Sequence, residues 1–304
     1  MYSDDNDKES TKVNTDRKEK LTMKTDKSNI FHFVSLNVRG VRDKMKRSKV
    51  FSWIRAQKAD IVCLQETFWT EDLENHVIKE WNGQVFFCNG SNHARGVSIL
   101  LSKNLPVEVV NVYCKGNGRA MALRLVYQSK SYLVINIYAP TKLRDKRLFF
   151  KRLSPWLNKL KRADDLIICG GDWNTPQIPS ADTRGVSQKR RPLQPFRKFI
   201  QTYKLVDIWR KWFPHKKQFT WRQVSMGIYS RLDYWLITTS LCDFVHSTDI
   251  RPALKCDHNA VSLKLKVSSP SRGKGYWKMN NTLLHDETFQ YYVKNCKGET
   301  RVSQ

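Results

Sequence analysis

The chain has 304 residues, 40% of them hydrophobic, with 10 Trp, 11 Tyr and 14 Phe, enough for one large domain or two small ones with a sizeable core. Its 54 Lys and Arg against 28 Asp and Glu leave a formal net charge of +26. That excess is too one-sided to serve solubility alone and asks for a polyanion, nucleic acid before an anionic membrane surface.

Residues 1–29 are polar, with seven basic and seven acidic residues that cancel, so the positive excess sits on residues 30–304. With no hydrophobic period, the segment is read as a disordered tail. Phe31-His-Phe-Val-Ser-Leu-Asn37 alternates as a strand and runs into the tight turn Asn37-Val-Arg-Gly40. A helix is predicted from about Asp43 to Gln57 on the spacing of Val50, Trp53 and Ile54, followed by a strand at Asp60–Glu66. Strand, helix, strand in that order gives a crossover with a parallel pair, so Asn37 and Glu66 should emerge at one edge of a sheet. Strands at Gln84–Cys88, Gly96–Ser102, Pro106–Tyr113, Arg119–Tyr127 and Ser131–Tyr138 follow without helices between them, which favours antiparallel pairing. A basic helix at about Arg144–Leu160 carries Leu148, Leu153, Trp156, Leu157 and Leu160 on its apolar side. Next come a strand opening at Asp165, a loop over Thr175–Pro192, a helix at about Leu193–Lys204 and a short strand Gln218–Trp221. The run Ser230–Ile237 alternates, placing Arg231, Asp233 and Trp235 on one face, and a last strand spans Asn259–Val267. From Ser268 the composition turns to Ser, Pro, Gly and Lys, so 268–304 is read as a linker and C-terminal extension, leaving 30–267 as the folded domain. The seven cysteines show no CxxC spacing and read as reduced residues of an intracellular protein. No apolar run approaches a membrane span, so no membrane partner is expected.

Ile167-Ile-Cys-Gly-Gly-Asp-Trp-Asn174 is the stretch the rest is organised around. It reads as a buried strand whose glycines let the backbone turn sharply into a polar end. If strand geometry persists, Asp172 and Asn174 share a side, with Trp173 turned the other way into packing. A carboxylate can hold and deprotonate a water, while an amide can donate to a phosphoryl oxygen without adding repulsion. Other strand ends and loops contribute Asn37, Glu66, Tyr138, Asp233, Asp257 and His258. Singly, each has a plain reading: Asn37 and Glu66 as caps, Tyr138 as a packed aromatic, Asp257-His258 as a loop pair, Asp233 as a partner of Arg231. Together they suit metal-assisted phosphodiester hydrolysis. Their hard oxygens fit Mg²⁺ or Mn²⁺, and there is neither an HExxH motif nor a Cys/His cluster for zinc.

The motifs Ser35-Leu-Asn-Val-Arg-Gly40, Leu64-Gln-Glu-Thr67, Ile137-Tyr-Ala-Pro140, Gly170-Gly-Asp-Trp-Asn174, Ser230-Arg-Leu-Asp-Tyr234 and Cys256-Asp-His258 come in a specific order. As a set the chain resembles the endonuclease/exonuclease/phosphatase superfamily, the group of DNase I, exonuclease III and the abasic-site endonucleases, over about residues 30–267. The resemblance implies a DNase I-like four-layer α/β sandwich, two packed mixed sheets flanked by helices. It also implies roles: Glu66 as principal metal ligand, assisted by Asn37 and Asp257, and Asp172 to orient or deprotonate the attacking water. Asn174 and Tyr138 would hold the phosphate, and Asp233 would fix His258 for contact in the transition state. Arg39 departs from the pattern, standing where repair members commonly carry an acid or amide close to the metal. Cys256 departs too, standing where Ser usually precedes the Asp-His pair. Within the superfamily the chain looks most like the endonuclease domain of LINE-type non-LTR retrotransposons. Asp172-Trp-Asn-Thr-Pro176, the nearby Asp182 and Arg184, and Gly273-Lys-Gly-Tyr-Trp-Lys-Met-Asn-Asn-Thr-Leu-Leu284 carry that likeness. It implies a partner reverse transcriptase region missing from this chain.

The expectation is a monomeric, nuclear or cytoplasmic DNA endonuclease using Mg²⁺ or Mn²⁺, nicking one strand to leave a 3′ hydroxyl and a 5′ phosphate as the resemblance implies. An abasic-site endonuclease with 3′–5′ exonuclease activity in DNA repair would use the same residues. A catalytically inactive nucleic-acid-binding remnant would need only the charge. Arg184 and Lys189, Arg190 and Arg191 are candidate DNA contacts, the last three also a short basic nuclear-entry signal. Lys142, Arg144, Lys146, Arg147, Lys151 and Arg152 read equally as phosphate-tracking bases or as a solvated helix face.

Overall fold

The computed structural model describes residues 30–115, 117–185, 193–253 and 256–267. The tail 1–29, Lys189, Arg190, Arg191 and the extension 268–304 lie outside the described residues. In chain order the elements are β1 (Ile30–Asn37), α1 (Lys44–Ala56), β2 (Ile61–Gln65), α2 (Glu71–Trp81), β3 (Gly83–Cys88), β4 (Val97–Ser102), β5 (Glu108–Lys115), β6 (Ala120–Tyr127) and β7 (Lys130–Tyr138). There follow α3 (Leu143–Leu160), β8 (Leu166–Asp172), α4 (Pro179–Asp182), β9 (Thr183–Arg184), α5 (Gln194–Thr202), β10 (Leu205–Asp207) and α6 (Ile208–Trp212). The last are β11 (Trp221–Gln223), β12 (Ile228–Ser230), β13 (Leu236–Thr238), β14 (Val245–Arg251) and β15 (Ala260–Lys266).

Two six-stranded mixed sheets carry the fold, in the orders β14-β15-β1-β2-β4-β3 and β10-β13-β8-β7-β6-β5, with a small third sheet β11-β12-β9 beside them. Each large sheet has one parallel pair, β1 with β2 and β7 with β8; the crossovers are α1 and α3. Strand alternation sorts the side chains into layers. Phe31, Phe33, Ile61, Cys63, Val134 and Leu263 pack between the sheets. Their alternates Val34, Leu36, Val62 and Leu64 turn outward onto Val50, Phe51 and Ile54 of α1 and Val77 and Trp81 of α2. On the other sheet, Leu133, Ile135 and Ile167 turn outward onto Phe150, Leu153 and Leu157 of α3 and Phe196 and Phe199 of α5. Helices, sheet, sheet, helices is the four-layer sandwich expected. No helix among the described residues is long and apolar enough to cross a membrane.

The structure corrects several expectations. A helix, α2, precedes β3 where none was anticipated; Glu71, Asp72 and Glu74 crowd its first turn and complement its dipole, and Val77 and Trp81 bury one face. β14 went unread because Val-His-Ser-Thr-Asp-Ile-Arg offers few apolar residues to mark a period. The run Ser230–Ile237 is not one strand: β12 ends at Ser230 and β13 starts at Leu236, so the segment between them passes from the small sheet to the large one. In α3 Leu148 is exposed, and Phe150 takes the buried place. Gly170 and Gly171 lie within β8 and make no turn. A Cβ at Gly170 would meet the Trp235 ring at 2.3 Å, and Gly171, at φ +138°, would place one 2.0 Å from the Ile137 carbonyl oxygen. Close approach is what both glycines serve.

Candidate active site

β1 and β7 change character along their length. Facing the partner sheet, Phe31 and Phe33 give way to Ser35 and Asn37, and Tyr132 and Val134 give way to Asn136 and Tyr138. Gln65 ties this polar layer together: its Nε2 donates to Ser35 Oγ at 3.0 Å and, across to the other sheet, to Asn136 Oδ1 at 2.7 Å. Asn136 Nδ2 donates in turn to the carbonyls of Leu64 (2.8 Å) and Ser98 (2.9 Å). Sequence reasoning missed Gln65 and Asn136. The available signal was an amide inside an otherwise apolar run, where burial demands a hydrogen-bond partner.

Above this floor the strand ends converge. The parallel registers set Asn37 opposite Gln65, with Glu66 next, and Tyr138 opposite Asp172. Asn37, fully buried, donates from Nδ2 to Glu66 Oε1 (2.8 Å) and Asp172 Oδ2 (3.0 Å), linking the two sheets' carboxylates through one amide. Asp172 and Asn174 do meet, though not by continued strand geometry. β8 stops at Asp172, whose Oδ1 accepts the Asn174 backbone N–H at 2.9 Å, and Asn174 sits at φ +46°. Its amide donates to Ala139 O (2.9 Å) and Asp172 Oδ2 (3.2 Å). Trp173 is buried and stacks on Tyr234, as expected. The Arg119 guanidinium lies 4.6 Å from the Tyr138 ring centroid. Burial first, then the Glu66 carboxylate beside it, pushes the Tyr138 hydroxyl's pKa up, so the phenol keeps its proton to donate.

Asp233 reaches the site through a backbone bridge to Asp172, and its Oδ2 lies 2.9 Å from His258 Nδ1. It does not pair with Arg231. That guanidinium is fully buried between Asp182 (2.8 Å) and Asp207 (2.5 Å), with Arg210 also on Asp182, and it packs on Trp209 and Tyr234. Thr220 Oγ1 accepts the backbone N–H groups of Leu232 and Asp233. His258 is 6% exposed and bridged to Trp221 of the small sheet. Burial opposes its charge, but the Asp233 carboxylate outweighs that, with Asp172 and Asp257 adding, and raises its pKa to about 10. Asp172 is raised to about 7 by burial first and by Asp233 second, with the His258 imidazole, the Asn174 N–H and the Asn37 amide opposing. Asp257, on the loop before β15, pairs with Arg39 (3.0 Å), while Cys256 Sγ lies 3.5 Å from the Asn37 carbonyl.

Asn37, Glu66, Asp172, Asn174, Asp257 and His258 line one cavity of about 330 Å³, with Arg39, Thr141 and Trp221 at its walls. Tyr138 and Asp233 stand immediately behind it through Glu66 and His258. Two places could receive a cation. Asp172, Asp233 and His258 offer ligand atoms within 4.8 Å of one another, but the imidazole is held protonated against Asp233 and a hard ion prefers oxygen. Glu66, Asp257 and the Asn37 amide oxygen are the better fit, as hard oxygens among the groups that line the cavity. Arg184, the candidate DNA contact within the described residues, is exposed on β9 and lies over Tyr229.

Residues 34–268 match the Endonuclease/Exonuclease/phosphatase family. The "Transposon TX1 uncharacterized 149 kDa protein" of Xenopus laevis is 33% identical over 264 residues, 86% of this chain and 20% of that protein. The chain therefore spans about a fifth of that relative's length. An exodeoxyribonuclease of Bacillus subtilis is 23% identical over 259 residues, covering 77% of this chain and 99% of its own. Among solved structures, an AP endonuclease from Archaeoglobus fulgidus superposes with a TM-score of 0.63 at 22% identity, over 78% of this chain and 100% of its own. The AP endonuclease LMAP from Leishmania major gives 0.62 at 18% identity, over 79% and 88%. These structures share the fold.

Proposed function

Because this chain belongs to the Endonuclease/Exonuclease/phosphatase family, we propose that it is a divalent-metal-dependent DNA endonuclease of the retrotransposon type, nicking one strand to leave a 3′ hydroxyl and a 5′ phosphate. The observation that carries this is the cavity itself. It sets a buried His–Asp pair and a part-buried carboxylate–amide pair facing a group of oxygen ligands. The transposon relative and the net charge of +26 support DNA as the substrate.

Glu66 and Asp257, with the Asn37 amide oxygen, would hold Mg²⁺ or Mn²⁺. When bound, such an ion neutralises charge on the phosphate and on the leaving oxygen. Asp172 is positioned by three donated hydrogen bonds from Asn37 and Asn174 and faces the cavity, so it can orient a water and take its proton. Asn174 and Tyr138 would donate to phosphoryl oxygens by giving up the contacts they make with Asp172 and Glu66 in the free protein. His258, with Nδ1 on Asp233, presents Nε2 to the charge that grows on the phosphate in the transition state. Arg184 and Lys189 to Arg191 would contact the DNA backbone. The protein would act in the nucleus as a monomer, with its nuclease serving a retroelement whose reverse transcriptase lies outside this chain.

Nicking of supercoiled plasmid, run with Mg²⁺ and with EDTA beside an abasic duplex at matched salt, tests the reading. Metal-dependent relaxation of intact plasmid is expected. Cleavage confined to the abasic duplex would replace the reading with abasic-site repair; a 24% identical Danio rerio relative is named "DNA repair nuclease APEX1". Tight binding without cleavage of either would leave a nucleic-acid-binding remnant.

A further inference from the structure

Arg39 has no part in the chemistry above, yet it touches the groups assigned to the cation. Its side chain is 66% exposed and its guanidinium sits on Asp257, Nη1 to Oδ2 at 3.0 Å. Its backbone N–H donates to Asn37 Oδ1 at 3.0 Å. One residue thus engages an oxygen on two of the three proposed ligands. The backbone there is held in the left-handed region at φ +46°, with the Arg39 carbonyl accepting Lys46 Nζ at 2.8 Å. The main chain is held on both sides, while the side chain lies mostly in solvent with Asp257 as its partner.

An ion pair this exposed holds by about 0.2–1 kcal/mol. A dication and a guanidinium repel across a shared carboxylate. The released guanidinium would stay at the wall of the cavity lined by Asp172, Asn174 and His258, where the scissile phosphodiester would lie, and its planar fork matches two phosphoryl oxygens. We propose that Arg39 is an exchangeable latch: it neutralises Asp257 in the free protein and moves to the phosphodiester when a divalent cation takes the carboxylate. The exchange couples cation loading to substrate binding. It rests on the assignment of the cation to Glu66, Asp257 and Asn37.

The test is binding of Mn²⁺ alone to the full chain without nucleic acid, by electron paramagnetic resonance, for the parent, Arg39→Met and Glu66→Gln. Arg39→Met should bind Mn²⁺ about 1.4- to 5-fold more tightly, the conversion of about 0.2–1 kcal/mol. A residue that merely shaped the site would weaken binding when replaced. In an Asp172→Asn background, which holds substrate without turnover, Arg39→Met should bind duplex DNA with Mn²⁺ more weakly than its parent does. Unchanged or weaker Mn²⁺ binding by Arg39→Met, or undiminished duplex binding, overturns the latch. If Glu66→Gln binds Mn²⁺ as the parent does, it is the cation assignment that has failed.

Discussion

Asp233 and His258 are 1% and 6% exposed and locked to each other, whereas Arg39 and Asp257, at the mouth of the same cavity, have side chains 66% and 26% exposed and share one ion pair. The inner wall is organised by the fold. The Asp182–Arg231–Asp207 network, the Thr220 hydroxyl and the bridges to Trp221 and Asp172 determine where its side chains point before any ligand arrives. The outer wall is held by less: one exposed ion pair and the Arg39 N–H on Asn37. Groups that stabilise developing charge must be preorganised to avoid reorganisation during reaction, while groups that admit an ion and a substrate must open. The difference in burial follows that division of labour.

Breaking the inner wall should have the largest effect. His258→Ala is expected to lower nicking about 10²- to 10³-fold with the far-ultraviolet circular dichroism unchanged. The double variant with Asp233→Asn should be hardly worse, because the two act as one unit. Full additivity of the two losses would contradict the paired role. Next comes the support beneath them. Arg231→Met leaves Asp207 buried without its guanidinium and Asp182 with Arg210 alone, and should cost about 3–5 kcal/mol of unfolding free energy in urea. By contrast, Arg39→Met should shift the same measurement by no more than about 1 kcal/mol; equal losses at the two arginines would erase the distinction between the walls.

The smallest effect expected at neutral pH sharpens the comparison on acidification. Burial acts to raise the pKa of Asp182, but Arg231, the Ile178 N–H and Arg210 more than offset it, so its carboxyl titrates below its ordinary 3.8. Asp165 is likewise lowered: the Arg162 N–H, the Ser131 hydroxyl and Arg124 overcome burial. A depressed carboxyl contributes stability that is complete above 3.8 and lost as pH falls through the folded-state value below it. Urea midpoints should therefore be insensitive to these two groups near neutrality and fall below pH 3.8. Asp182→Asn should flatten that acid limb, and an unaltered limb would count against the network.

Much of the site was legible because its residues stand at the ends of strands with a clear period of two. Asn37 and Glu66 could be placed at one edge of a sheet from alternation and crossover order, and the structure puts them there; Tyr138 and Asp172 could be read only as strand ends, and the second parallel pair sets them side by side on the other sheet. What stayed hidden depended on partners far apart in sequence. Arg231 belongs to Asp182 and Asp207, not to its near neighbour Asp233, because β12 ends at Ser230 and the chain changes sheets there. Gln65 and Asn136 looked incidental until the two sheets were stacked. The Arg39–Asp257 pair joins a turn after β1 to the loop before β15, a proximity that no local pattern encodes.

The most direct test of metal-dependent hydrolysis at this cavity is the rate of supercoiled-plasmid nicking by Asp172→Asn beside the parent, with Mg²⁺ and with EDTA. Asparagine keeps the shape and removes the carboxylate proposed to orient the water, so nicking in Mg²⁺ should fall to the EDTA background. Metal-dependent nicking by Asp172→Asn at the parent's rate would place the chemistry elsewhere and contradict the account.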